Sequence, residues 1–288
     1  MPEMKEKHIL LTIYSIQDYA GAEIHTLSVA KALTEMGADV RIATFNYAYP
    51  MREEYEKEGI EVTNILLEKL NMDTYDLIWA HHAVVLDYLI WELHIHAKEV
   101  IFNSLSPFEA LEALPVYANE LSLCLANSSE TKEQLLMENA AKEHVIVFPN
   151  YVAQKMLLVQ NQKSYGKRPD KIAIVSNHVP PELLEFESLA KSSEMLVDIY
   201  GKGYQETLVT ESLLLKYDLI ITIGKTVQYA MGLGIPVYCY DVFGGPGYIE
   251  PANRNAAFYY NFSGRGGFSK KQGSDIFDDI IMKYEKNK

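Results

Sequence analysis

Apolar runs and amphipathic stretches alternate along this chain from residue 8 onward. Segments 8–14, 40–45, 61–66, 75–80, 100–103, 121–126 and 145–148 are short, apolar and rich in β-branched or aromatic residues, so they read as strands. Between them, 22–36 places Ala22, Val29, Leu33 and Met36 on one helical stripe, with Gly37 as the stop. Shorter helical patterns fall at 53–59, 84–94 and 129–139, the last capped by Ser128 or Ser129. Strands that alternate with helices predict βαβ units, and hence a parallel doubly wound sheet.

The rhythm breaks at 151–170, where a polar stretch from Asn161 to Pro169 reads as a linker. It then restarts, with strands at 171–175, 196–200, 218–223 and 235–240 and helices at 181–190 and 226–233. Ile276, Ile280, Ile281 and Tyr284 recur at helical spacing near the end, giving a terminal amphipathic helix at about 274–288 with a face to pack back on the first domain. The expected architecture is α/β, with two Rossmann-like doubly wound parallel-sheet domains facing a cleft. They span 1–152 and 170–288, joined by a linker at 153–169.

Composition narrows this picture. Apolar residues make up 48% and charged residues 23%, the balance of a globular chain. No apolar run approaches the ~18 residues of a membrane span. Lys5 and Lys7 precede a short apolar stretch, as in a signal peptide, yet polar residues follow where a cleavage site should be, so that stretch reads as the first strand. Cys124 and Cys239 sit inside apolar segments and read as reduced core thiols, which fits a cytoplasmic protein. Residues 1–150 hold 10 basic against 24 acidic side chains, a net of −14, whereas the remainder holds 16 against 15. The acidic half disfavours nucleic acid and anionic lipid, and a diphosphate would sit better on the second half.

Ligands of open parallel sheets bind beyond the carboxyl ends of the strands, so the loops there are the candidate sites. The first strand leads into Gly21, Ala22 and Glu23, where a glycine opens the backbone and a helix begins; a plain strand–helix turn explains the same residues. His81 and His82 close the strand at 75–80; only one of two adjacent residues can face a ligand, and His82 is the candidate, as an acid/base or as a hydrogen-bond partner of a sugar hydroxyl. Ser104 and Ser106 either bind an acceptor or cap a helix carrying Glu109. In the second half, Ser176, Asn177 and His178 follow one strand, and Gly201, Lys202 and Gly203 the next. Gly224, Lys225 and Thr226 join an apolar strand to a helix, and together a helix N-terminus, a Thr cap and a lysine suit a diphosphate. The position five residues before Gly224 is Leu219, so the glycine of a Walker loop is absent. Asp241, Gly244 and Gly245 open a Gly/Pro-rich stretch that reads as a constrained ligand loop. Arg254 and Arg265 either add positive charge to this loop or are ordinary surface residues, and no histidine, cysteine and carboxylate constellation predicts a metal.

Several of these segments resemble the family-four type of GT-B glycosyltransferase. Ala20-Gly21-Ala22-Glu23 and, after a helix, Met36-Gly37-Ala38-Asp39-Val40 resemble that family's opening. Phe148-Pro149-Asn150 resembles its turn into the linker, and Ala230-Met231-Gly232-Leu233-Gly234-Ile235-Pro236-Val237 its donor-domain helix and strand. The resemblance implies transfer of a sugar from a nucleoside-diphosphate sugar, with no further cofactor, to a saccharide or lipid-linked acceptor in cell-surface polysaccharide assembly. Lys225 would stabilise the leaving group, and the chain would work in the cytoplasm or at the inner face of the membrane. The sequence also departs from the family. The glutamate pair falls at Ile221 and Tyr229, the phosphate-binding arginine at Asn177, and the downstream lysine near Glu182. Two alternatives follow, a non-catalytic partner subunit of an active transferase and a sugar-nucleotide epimerase.

Overall fold

The computed structural model describes residues 4–159, 161, 163–266 and 268–288; residues 1–3, Gln160 and Gln162 of the linker, and Gly267 lie outside the described residues. The chain divides into two compact units, Met1–Pro149 and Asn150–Lys288.

The first unit is built on strands β1 (His8–Ile16), β2 (Asp39–Tyr47), β3 (Glu61–Asn64), β4 (Thr74–Ala80), β5 (His96–Ser104), β6 (Leu123–Ala126) and β7 (Val145–Val147). All neighbours pair in parallel, in the order β3-β2-β1-β4-β5-β6-β7. The seven apolar runs are thus the seven strands. Helices α1 (Gly21–Glu35), α2 (Met51–Lys57), α3 (Ala83–Asp87) and α4 (Ser129–Met137) fill the crossovers. Ser128 caps α4 by accepting from the Thr131 amide. The long helix expected at 84–94 is shorter, because after α3 the backbone widens into a π-turn at Tyr88–Glu92.

The second unit opens with α5 (Gln154–Leu157), within the stretch read as the linker: Met156 joins this unit's core, and Tyr165 meets Tyr284 edge to face. Strands β8 (Lys171–Val175), β9 (Leu196–Tyr200), β10 (Leu219–Thr222), β11 (Val237–Asp241) and β12 (Gly244–Tyr248) are ordered β12-β11-β10-β8-β9. Helices α6 (Pro181–Ser192), α7 (Glu211–Leu214), α8 (Lys225–Gly232), α9 (Arg254–Tyr259) and α10 (Gly273–Asn287) complete it. In α10, Ile276, Ile280 and Tyr284 are fully buried against the core around α6. Its apolar stripe is therefore used within its own unit.

The constrained loop expected from Gly244 and Gly245 is instead a strand: they begin β12, which runs antiparallel to β11 at the sheet edge. A Cβ on Gly245 would lie 2.0 Å from the Cys239 carbonyl oxygen, so the strand can lie this close only as glycine. Pro246 is tolerated because an edge strand has one side without ladder partners.

Candidate functional site

Chain order reverses direction in each sheet between two neighbouring strands, β1 and β4 in the first unit and β8 and β10 in the second. The carboxyl ends of those strands are where a ligand crevice forms.

At the β8/β10 switch point, the loops expected from sequence are tied to one another. Ser176 donates its hydroxyl to Asp241 at the end of β11 (3.0 Å) and accepts from the His178 amide (3.0 Å). The Asn177 side chain accepts from the Lys202 amide (3.1 Å), joining the loop after β8 to the loop after β9. Gly201 lies between them at φ +135°, where a Cβ would stand 1.9 Å from the Ser176 carbonyl oxygen. Gly203 donates to Glu206 (3.0 Å). Asp241 also accepts from the Val242 amide (2.8 Å), so both carboxylate oxygens are engaged and the residue acts as a strap across two strand ends. Burial raises its pKa from the ordinary aspartate value.

Lys225 begins α8 directly beyond β10. Its amine lies 5.4 Å from the Tyr151 ring centroid and 5.5 Å from that of Tyr229, a cation held between two π faces. Burial lowers its pKa to about 8. Gly224 is the N-cap, at φ +62°, and its amide donates to Phe262 (2.9 Å). Thr226 is therefore not the cap; it stands inside the first turn, and α8 has no side-chain cap bond. Sequence reasoning missed Tyr151, although the Pro-Asn turn just before it was recognised. Ile221 is fully buried within β10 and the Tyr229 ring faces Lys225, so neither position offers a carboxylate. The Glu182 carboxylate accepts from the Tyr240 hydroxyl (3.2 Å) and lies 4.0 Å from the Lys270 amine.

At the β1/β4 switch point, His81 is fully buried and donates through Nδ1 to the Asn103 carbonyl (2.9 Å), its ring edge-on to His25. His82 has φ +64° and ψ 101°, a conformation that costs a non-glycine residue on the order of 1–3 kcal/mol. The Tyr14 amide donates to its Nδ1 (2.9 Å), so the proton of the neutral ring is on Nε2. That nitrogen stands 3.8 Å from the Glu112 carboxyl. Burial lowers the pKa of His82 to about 4, so the ring is neutral at pH 7 and carries its proton on Nε2.

Glu112, which follows the Ser104–Ser106 segment in the sequence and had no role assigned there, is the buried acid of this end of the sheet. It is 4% exposed, accepts from the Leu105 amide, and burial raises its pKa to about 7. Ser104 and Ser106 frame it, Ser104 donating to the Ser106 carbonyl (3.3 Å), and the helix expected to carry Glu109 is a single 3-10 turn at Ala110–Glu112. Gly21, Ala22 and Glu23 form the first turn of α1, whose Ala20 cap makes no side-chain bond; burial raises Glu23 to about 7 as well.

A carboxyl whose pKa rises on folding binds its proton more tightly in the native state, so stability falls as pH rises through that window. Here the window runs from 4.5 to about 7 for both Glu23 and Glu112. Glu112→Gln keeps an oxygen for the Leu105 amide and removes the titration. It should reduce the fall of the melting temperature between about pH 4.5 and 7, leaving the part due to Glu23, and melt no lower than wild type at pH 8. A lower melting point at pH 8 would show that the carboxylate stabilises the fold.

No protein-family model matches the sequence, and no curated protein does. Solved structures do. HepE from Anabaena, in complex with UDP and glucose, superposes with a TM-score of 0.64 at 16% identity, covering 97% of this chain and 90% of HepE. A glycosyltransferase from Rickettsia africae gives 0.56 at 14% identity, over 98% and 97% of the two chains. A UDP-N-acetylglucosamine 2-epimerase gives 0.52 at 11% identity, over 95% and 86%. The chain has the fold of the GT-B glycosyltransferases, as its opening and donor-domain motifs implied. Among the described residues no helix is long and apolar enough to cross a membrane.

Proposed function

We propose that the chain is a glycosyltransferase that takes a sugar from a nucleoside-diphosphate donor, with UDP as the nucleotide, and moves it to a saccharide or lipid-linked acceptor in cell-surface polysaccharide assembly. The observation that supports this most is the polar ring beyond β8, β9 and β11, Ser176–Asp241 and Asn177–Lys202, with the Lys225 amine at the end of β10. HepE, which shares the fold, was crystallised with UDP and with UDP-glucose. In this reading the backbone of the Gly201, Lys202 and Gly203 loop and the first turn of α8, with Gly224 and Thr226, face the diphosphate. Asn177 and His178 contact the nucleoside, and Lys225 neutralises charge on the departing nucleotide. The acceptor binds the first unit through Gly21, Ala22, Glu23, Ser104, Ser106 and the Nε2 proton of His82. The work is cytoplasmic or at the inner face of the membrane.

A thermal-shift screen with UDP, dTDP, GDP and CMP tests the donor half. A ligand at 100 times its Kd adds about 2.7 kcal/mol of stability, so UDP should raise the melting temperature measurably. No shift with any of the four sinks the donor assignment. Transfer by the purified chain alone from a panel of UDP-sugars separates an active enzyme from a non-catalytic partner subunit. Epimer formed without any acceptor would point to the epimerase alternative.

A further inference from the structure

The proposed function leaves the acceptor's contact surface on the first unit undefined, and a cluster beyond β2 supplies one. Tyr47 ends that strand, and Tyr49 and Arg52 follow across the turn into α2. The Arg52 guanidinium carbon lies 4.9 Å from the Tyr47 ring centroid and 5.4 Å from that of Tyr49. Its Nε donates to Glu56 (2.7 Å), which fixes the plane of the fork. The Tyr49 ring is 61% exposed.

This turn is not a loose loop. The Ala48 amide donates to Ile16 (2.8 Å) and the Met51 amide to Gln17 (3.0 Å), fastening the turn to the end of β1. Beside it, the Asn46 amide group donates to Ser15 (3.0 Å) and Gln17 (2.9 Å), a planar polar ladder across the same two strand ends. The cluster therefore sits at the carboxyl ends of β1 and β2, with an exposed ring, a braced guanidinium and planar amides together.

We propose that Tyr47, Tyr49 and Arg52 form a stacking platform for one pyranose ring of a neutral saccharide acceptor, an assignment that rests on the glycosyltransferase reading. A pyranose presents an apolar C–H face and a rim of hydroxyls. An aromatic ring with only two rotatable side-chain bonds meets the face at small entropic cost, and a guanidinium and amides meet the rim. Charge selects the neutral ligand. Arg52 is already paired with Glu56, α2 also carries Glu53 and Glu54, and residues 1–150 carry a net of −14, so an anionic polymer would be repelled.

Ligand-observed saturation-transfer NMR on the full chain, with cellobiose, lactose, mannobiose and N,N′-diacetylchitobiose as probes, tests this. At least one disaccharide should receive saturation through its C–H face. Tyr49→Ala should weaken its binding about tenfold, and Tyr49→Phe should restore it, since stacking needs the ring and not the hydroxyl. Arg52→Met should weaken it as well. Tyr49 is mostly exposed, so the fold should persist, and the UDP-induced thermal shift of Tyr49→Ala should equal that of wild type. No transfer to any of the four sugars, or equal binding by wild type and Tyr49→Ala, overturns the platform. Sugar binding without a UDP shift would instead sink the donor site and leave the platform standing.

Discussion

Gly201→Ala should destabilise the second unit by roughly 3 kcal/mol or more, a large share of the 5–15 kcal/mol that holds an ordinary domain folded. Two costs add. The residue sits at φ +135°, a region that L side chains rarely adopt, and the new Cβ would stand 1.9 Å from the Ser176 carbonyl oxygen and 2.6 Å from its carbon. Neither partner can step aside cheaply. The Ser176 amide is bonded to Tyr200 (2.9 Å) and the Gly201 amide to Gln205 (3.1 Å), so any shift breaks the junction of β8 and β9. Gly203→Ala is the control: it also has positive φ, at +83°, but its Cβ would meet nothing within 4 Å. It should cost only the backbone term, on the order of 1–2 kcal/mol. Denaturant unfolding of the two variants decides the matter, and equal midpoints would mean that the loop relaxes and that the close approach is not a constraint.

The same comparison explains what the sequence disclosed and what it withheld. Strands buried in a parallel sheet are continuous apolar runs, so β1 to β11 are each legible as elements from hydropathy. Their bounds are less so, since β5 begins at His96, in a polar, partly exposed stretch ahead of the apolar run at 100–103. β12 is not legible, because Gly244-Gly245-Pro246-Gly247 is composed like a turn. It is a strand only since it lies hard against β11, where Gly245 meets the Cys239 carbonyl and Gly247 the Tyr238 ring. Strand-end loops could be named from the element pattern alone, as Ser176, Asn177, Gly201 and Lys225 were. Which of them touch depends on strand order: Ser176 and Asp241 are 65 positions apart, and their strands are separated in the sheet by β10. Protonation was equally hidden. His82 is a candidate because it is a histidine at a strand end; only the fold shows that the Tyr14 amide, 68 positions away, donates to its Nδ1 and leaves the proton on Nε2.

Lys225→Met should weaken UDP binding by roughly 10- to 100-fold, the loss of a charge-assisted contact worth about 1.5–3 kcal/mol, and at the same time raise the melting temperature of the free protein. The second effect follows from the lowered pKa. Burial between Tyr151 and Tyr229 penalises the charged amine, bringing it from 10.5 to about 8. The unfolded chain then holds that proton more tightly than the native one, so the charge destabilises the fold below pH 8 and the penalty fades as pH rises from about 8 to 10.5. Methionine keeps a stem of similar length against the two rings without the charge. The wild type should therefore gain stability relative to Lys225→Met across that interval, while its UDP affinity falls as the amine deprotonates through about pH 8. The variant should lack that step at about pH 8. A residue that costs stability and is worth affinity marks a site kept for binding. Thermal melts with and without UDP at pH 7, 8, 9 and 10 separate the two effects. If the variant is less stable at pH 7 and binds UDP as wild type does, Lys225 is a packing residue and the diphosphate lies elsewhere in the second unit.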